Sequence, residues 1–148
     1  LVADAAKARL FEIAAKGAQM TEIDCFANPD GRAHPCDLTT ERRPMVDESA
    51  ASIRHALEPH TSLREKSAER FARALRDVLE NGHALGRYQR IVLVAPPHFL
   101  GVLRSGLGDH LCEWVTAEIR RDLTTLPAGE VRARLPDRLF RTQRSVGA

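Results

Sequence analysis

The run Ile91-Val92-Leu93-Val94-Ala95 constrains this chain more than any other feature. A strand with one wet face alternates apolar and polar residues, so an unbroken apolar run predicts a strand covered on both faces. Pro96-Pro97 follows at once. Neither proline has an N–H to give a ladder, yet proline is tolerated in the first turn of a helix. Behind the prolines, Phe99, Leu103, Leu107, Leu111 and Trp114 recur at helical spacing, with Val102 beside them. An inner strand bent rigidly into an amphipathic helix predicts a mixed α/β architecture.

The other segments fit around that core. Leu1-Val2-Ala3 opens as a short strand, and Ala8 to Ile13 as a second. Met20 to Phe26 reads as a third, with Met20, Glu22, Asp24 and Phe26 on one side and Thr21, Ile23 and Cys25 on the other. Lys16-Gly17 and Asn28-Pro29-Asp30-Gly31 are turn signals, so the three strands predict an antiparallel meander. Residues 27–61 are acidic, interrupted by proline and poor in periodicity, which reads as a long loop. Ser62-Leu63-Arg64-Glu65 is a capping box that sets a helix start at Ser62. Ala68, Phe71, Ala72, Leu75, Val78 and Leu79 form the stripe of that helix, and Asn81-Gly82 its end. Val115 to Ile119 reads as the last strand, and Ala128 to Leu135 as a short helix stopped by Pro136. The tail from Arg141 reads as frayed. The expected fold is a mixed sheet of about five strands. An antiparallel meander is followed by helix–strand–helix–strand, with the helices packed on the sheet.

A chain of 148 residues fits one domain spanning 1–148, long enough to bury roughly 68–70% of its unfolded surface. No apolar run is long enough for a membrane span. Three cysteines, Cys25, Cys36 and Cys112, make no disulfide framework and predict a reducing, cytoplasmic setting. The net charge of +2 implies no nucleic acid by itself. Its distribution is uneven: residues 20–61 hold eight acidic and four basic side chains, whereas 62–90 and 117–148 each hold seven basic and four acidic. Arginine outnumbers lysine nineteen to three. That excess reads either as codon bias or as a supply of planar forks for phosphate and carboxylate.

No dinucleotide fingerprint, Walker loop, nucleophile elbow or HExxH occurs. The turn Ala95-Pro96-Pro97-His98 cannot cradle a phosphate, because two of its four residues lack the N–H. Among Cys25, His34, Cys36, His55 and His60, only His34 and Cys36 form a near pair, whereas zinc takes four close ligands. No metal site, cofactor or catalytic residue is predicted. Cys112 reads as filler at the edge of its helical stripe, and Cys25 has no adjacent base.

Asp4 follows the first strand with Arg9 five residues on. A carboxylate there can ligate a nuclease metal or stabilise a hairpin turn. Lys66, Arg70, Arg73 and Arg76 fall along one polar side of the first helix. They read as a phosphate-contacting face or as a solvated one with pairs such as Glu69 to Arg73. Pro96, Pro97, His98 and Arg104 mark the carboxyl end of the inner strand, where open α/β sheets bind ligands. The plainer reading is that Phe99 and Leu100 pack the helix onto the sheet. The candidate binding residues are Asp4, Arg9, Pro96, Pro97, His98 and Arg104.

Four stretches together carry a resemblance. They are Val2-Ala3-Asp4 with Ala8-Arg9-Leu10-Phe11; Arg54-His55-Ala56-Leu57-Glu58-Pro59; Val94-Ala95-Pro96-Pro97 with Phe99-Leu100-Gly101-Val102-Leu103-Arg104; and Ala117-Glu118-Ile119 with Arg121-Asp122-Leu123-Thr124 and Leu126-Pro127. In order and spacing, over nearly the whole chain, they resemble the bacterial host-attachment protein family. His98 stands where that family more often has arginine. The resemblance implies a requirement for attachment of bacteria to host cells. The family is also similar to the central domain of archaeal and eukaryotic class-1 release factors, which implies a fold of that kind. Pro59, His60 and Thr61 occupy the segment where those factors carry Gly-Gly-Gln, so peptidyl-tRNA hydrolysis is not implied. The expected function is that of a non-enzymatic cytosolic protein acting in host attachment through an unidentified protein partner. One alternative is association with the ribosome or RNA; another is a metal-dependent hydrolase or nuclease centred on Asp4.

Overall fold

The computed structural model describes residues 1–13, 19–31 and 57–140, with backbone alone over 57–61. The elements run β1 (Val2–Ala3), β2 (Lys7–Ile13), β3 (Met20–Ala27), α1 (Leu57–Ala84), β4 (Ile91–Ala95), α2 (Pro97–Cys112), β5 (Val115–Arg120) and α3 (Ala128–Arg134). The five strands form one mixed sheet in the order β3-β2-β1-β4-β5. The meander pairs antiparallel, whereas β4 runs parallel to both β1 and β5. The turn at Lys16-Gly17, the acidic middle of the long loop and the tail from Arg141 lie outside the described residues.

β4 carries the core on both faces. Ile91, Leu93 and Ala95 join Ala68, Phe71, Leu75 and Leu79 of α1 and Phe99, Leu103, Leu107 and Leu111 of α2 in one cluster. Val92 and Val94 face the opposite cluster, built from Val2, Leu123, Val131, Leu135 and Phe140. The unbroken apolar run is therefore the chemistry of a strand with no wet face. Helices α1 and α2 cover one side, and α3 with its flanking segments covers the other.

The long helix departs from the expected bounds at both ends. It starts at Leu57 rather than Ser62, so Ser62 lies inside it and is not its first residue. Pro59 falls in the first turn, where no intrahelical N–H is needed, and it does not delay the helix. The helix also runs through Asn81-Gly82 to Ala84. Its left-handed cap residue is Gly86, at φ +67°. The Gly86 N–H reaches the His83 carbonyl at 2.8 Å and the Arg87 N–H reaches that of Gly82 at 3.0 Å, a Schellman closure. Gly82 serves another purpose: a Cβ there would stand 2.6 Å from the Tyr88 ring. The long loop is shortened accordingly, because Ala27 ends β3, Pro29–Gly31 form a short 3-10 turn and Leu57 begins α1.

Pro96 and Pro97 open α2 as expected, and its stripe from Phe99 to Leu111 is buried. Trp114 lies beyond the helix end, at the entry to β5, and is half-buried. Cys112 is half-buried rather than inside the core. Where α1 and α2 cross, a Cβ on Gly106 would stand 2.9 Å from that of Ala72.

Both outer strand pairs carry a bulge, and each reverses an alternation. β2 and β3 pair regularly from Lys7–Ala27 to Leu10–Asp24, then Phe11 faces Glu22, leaving Ile23 as the extra residue. Phe26 therefore packs with the α1 cluster and Met20 with the opposite one, although alternation predicts a single face. β5 does the same past Ile91, placing Val115 and Ile119 on opposite faces. A bulge adds one residue to one strand, which flips every side chain beyond it.

Close contact at the α1–α2 crossing should tolerate no branched side chain. Gly106→Val is expected to lower the stability measured by urea unfolding by about 1–3 kcal/mol, the usual cost of overpacking.

Candidate functional site

Arg9 is the most buried charged side chain of the described residues, at 8% exposure. The bulge explains its main partner. Continued in register, Glu22 would face Glu12; shifted by one, it lies opposite Phe11, on the same face as Arg9. Arg9 Nε donates to Glu22 Oε1 at 3.1 Å, and one terminal nitrogen donates to Oε2 at 2.6 Å. The other terminal nitrogen donates to the Thr124 carbonyl at 3.3 Å and to the Leu126 carbonyl. The guanidinium carbon lies 4.9 Å from the Phe11 ring centroid. Lysine could not fill this seat, because the two-oxygen grip and the carbonyl pair need a planar fork. The two hydrogen bonds from Arg9 hold the Glu22 carboxyl below the ordinary glutamate range.

Asp4 sits at the carboxyl end of β1 with both oxygens engaged. Oδ1 accepts from the backbone N–H groups of Ala6 and Lys7, each at 2.7 Å, which closes the turn into β2. Oδ2 lies 2.9 Å from Thr124 Oγ1, and Asp122 Oδ1 lies 2.8 Å from the same hydroxyl. One hydroxyl proton thus serves two carboxylates, in a residue with no exposed surface. Asp122 also accepts from the Thr124 N–H at 3.1 Å. Asp4 and Arg9 therefore grip neighbouring parts of the segment 122–126, which connects β5 to α3. Together they latch the amino-terminal hairpin to that connection.

Asp122, Thr124 and Glu22 were not singled out by sequence reasoning. The first two lie about 120 residues from Asp4, and no local spacing links them. Their signal was present only in the resemblance, whose first and last stretches are the two halves of this latch.

The other candidates lie elsewhere. Pro96 and Pro97 open the helix, and Phe99 behind them in sequence is buried, its ring stacked on Phe71 at 6.1 Å. His98 is exposed and, with Glu69, Arg73, Gly101, Val102 and Ser105, lines a shallow groove between α1 and α2. Arg104 pairs with Glu118 of β5 at 3.3 Å. On α1, Arg70 pairs with Asp30, Arg73 with Glu69, and Arg76 with Asp77 and Glu80, while Lys66 is exposed. Cys25 is exposed on β3. His34, Cys36 and His55 lie outside the described residues, as does the side chain of His60. Among the described residues no three His, Cys, Asp or Glu side chains are placed to hold a metal.

Removing the fork leaves two carbonyls and a carboxylate short of donors. Arg9→Met is expected to cost about 1–3 kcal/mol of stability in urea unfolding. The pH dependence has a definite sign. Glu22 has a depressed folded-state value, so its contribution is full above the ordinary glutamate value of about 4.3. It is lost as pH falls through the lower folded value. Glu22→Gln should therefore unfold with a shallower loss of stability below about pH 4.3 than the parent.

Two comparisons bear on these residues. An uncharacterized protein of Rickettsia prowazekii (strain Madrid E) is 31% identical over 85 residues, covering 56% of this chain. The chain matches 57% of the length of that relative. The family described as "Protein required for attachment to host cells" matches residues 1–135, a span that holds the latch, the proline bend and both long helices. This chain belongs to that family of proteins required for attachment to host cells.

Proposed function

We propose that the chain acts in attachment to host cells as a non-enzymatic protein that engages a protein partner through the exposed side of α2. The family match over residues 1–135 carries this reading. Two features support its finer parts. Buried Arg9 and Thr124, half-buried Asp4 and exposed Asp122 are occupied with one another and with backbone, which suits holding the fold together. His98, in contrast, stands exposed on a helix held rigidly by two prolines and lines the groove with Glu69 and Arg73, while Arg104 is exposed further along the helix and pairs with Glu118. Rigid elements presenting exposed polar groups suit recognition. A cytoplasmic setting fits the free thiols of Cys25 and Cys112. Among the described residues, no helix is long and apolar enough to cross a membrane.

Association with the ribosome or RNA would use Lys66, Arg70, Arg73 and Arg76 instead. Three of these four are already paired with carboxylates, which weakens a phosphate-binding face. The third reading, hydrolysis centred on Asp4, needs a carboxylate free to act, and both Asp4 oxygens are engaged.

Attachment counted in a strain lacking the protein should fall and return with the wild-type chain. Return should fail with His98→Glu combined with Arg104→Glu, while the purified variant keeps its circular dichroism. Undiminished attachment without the protein sinks the attachment reading, and full return with the charge-reversed variant sinks the α2 surface. Co-sedimentation with ribosomes that is lost at high salt would move the function to RNA.

A further inference from the structure

The end of α1 holds a cluster that the attachment reading does not use. His83 packs its imidazole against the indole of Trp114, with ring centroids 4.2 Å apart. Tyr88 stands 6.1 Å from it, and His110 stands edge-on at 6.2 Å. Three parts of the chain thus close on one ring: the α1–β4 connection through Tyr88, the last turn of α2 through His110, and the entry to β5 through Trp114. Two polar atoms here, His83 Nδ1 and Trp114 Nε1, are shielded from solvent and have no hydrogen-bond partner among the described residues. Buried polar atoms are nearly always paired, so two orphans in one contact require a physical reason.

That reason lies in the donor inventory of histidine. A neutral imidazole keeps one nitrogen bare, whereas an imidazolium carries N–H on both. A bare Nδ1 shielded among aromatic rings forgoes one acceptor contact. A charged N–H in the same seat is far less favourable, because nothing there accepts it. The face of Trp114 and the carboxyl end of α1 attract a cation, but neither supplies an acceptor to Nδ1. A protonated His110 would add a like charge. The charged side chains that these elements carry around the cluster in sequence, Glu80 on α1, Arg87 in the connection, Asp109 in the last turn of α2 and Glu113 just beyond it, are exposed. None of them forms an ion pair with His83 among the described residues; Glu80 faces Arg76.

We propose that His83 is a proton-sensitive clamp. When neutral, it holds the end of α1 against the α2–β5 junction. When protonated, its ring leaves the face of Trp114 so that Nδ1 can reach water, and the junction loosens. The entry of β4 is tied to the same place, because the Ile91 N–H donates to the Trp114 carbonyl at 2.7 Å.

Trp114 is the only tryptophan, so its emission reports on this contact. The full chain is titrated from about pH 8 to about pH 5, where histidine changes charge. Emission, far-UV circular dichroism and melting temperature are followed together. The expected result is a red shift of the emission and a fall in melting temperature on acidification, with helix content unchanged. His83→Phe, which keeps a ring but no titrating nitrogen, should lose the red shift; His83→Gln should do the same if the Phe variant does not fold. His110→Gln should retain it. Emission that ignores pH in the parent, or a shift that survives in both His83 variants, would overturn the clamp. Loss of the shift in His110→Gln with its retention in His83→Phe would overturn it equally.

Discussion

A strand with no wet face dictates the architecture. β4 gives Leu93 and Ala95 to one core and Val92 and Val94 to the other, so it needs sheet neighbours on both edges and cover on both faces. β1 and β5 supply the edges, both parallel to it. A parallel neighbour needs a crossover, and α2 is that crossover into β5. The prolines at positions 96 and 97 fix where the strand ends and the crossover begins. Everything on the α1–α2 side then follows from burying two amphipathic helices on one apolar surface.

The opposite face is assembled differently. Among the described residues its cover has one short helix, α3, joined by Leu123, Leu126, Leu135, Leu139 and Phe140 from the flanking segments. Polar contacts take up the difference. Arg9 and Asp4 reach across from the hairpin to the 122–126 segment and hold it over the sheet. Arg9 can do this because its charge is not left bare: Glu22 neutralises it and two carbonyls take the remaining donors. A buried cation without such partners would cost several kcal/mol, about the stability of a marginal fold. The bulge in β3 is what delivers Glu22 to the correct face, so a local irregularity in one edge strand is a condition for the latch.

The sequence made the interior legible and the irregularities opaque. β4, α2 and the α1 stripe could be read directly, because double-sided burial and helical spacing each leave a periodic record. The bounds of α1 could not be read from caps. Ser62 and Asn81-Gly82 carry true capping chemistry, but Leu57 already lies in the helix and the left-handed residue is Gly86. The alternation that puts Met20, Glu22, Asp24 and Phe26 on one side of β3 fails because one unpaired residue, Ile23, inverts the period. The latch was invisible for a different reason. Its halves are more than a hundred residues apart, and only folding joins them. Of the six candidate binding residues, Asp4 and Arg9 are brought together and turned inward, while His98 and Arg104 stand exposed on α2.

These assignments divide the polar groups between two tasks. Asp4, Arg9, Asp122 and Thr124 hold the hairpin to the 122–126 segment, and the exposed side chains of α2 are the ones proposed for recognition. A double-mutant cycle between Asp4→Asn and Thr124→Val, measured by urea unfolding, tests that division most directly. The account predicts strong coupling, with the double variant losing less than the two single losses combined by about 0.5–3 kcal/mol. Additive losses would contradict it, and so would single variants as stable as the parent, because either result would free Asp4 for some other chemistry.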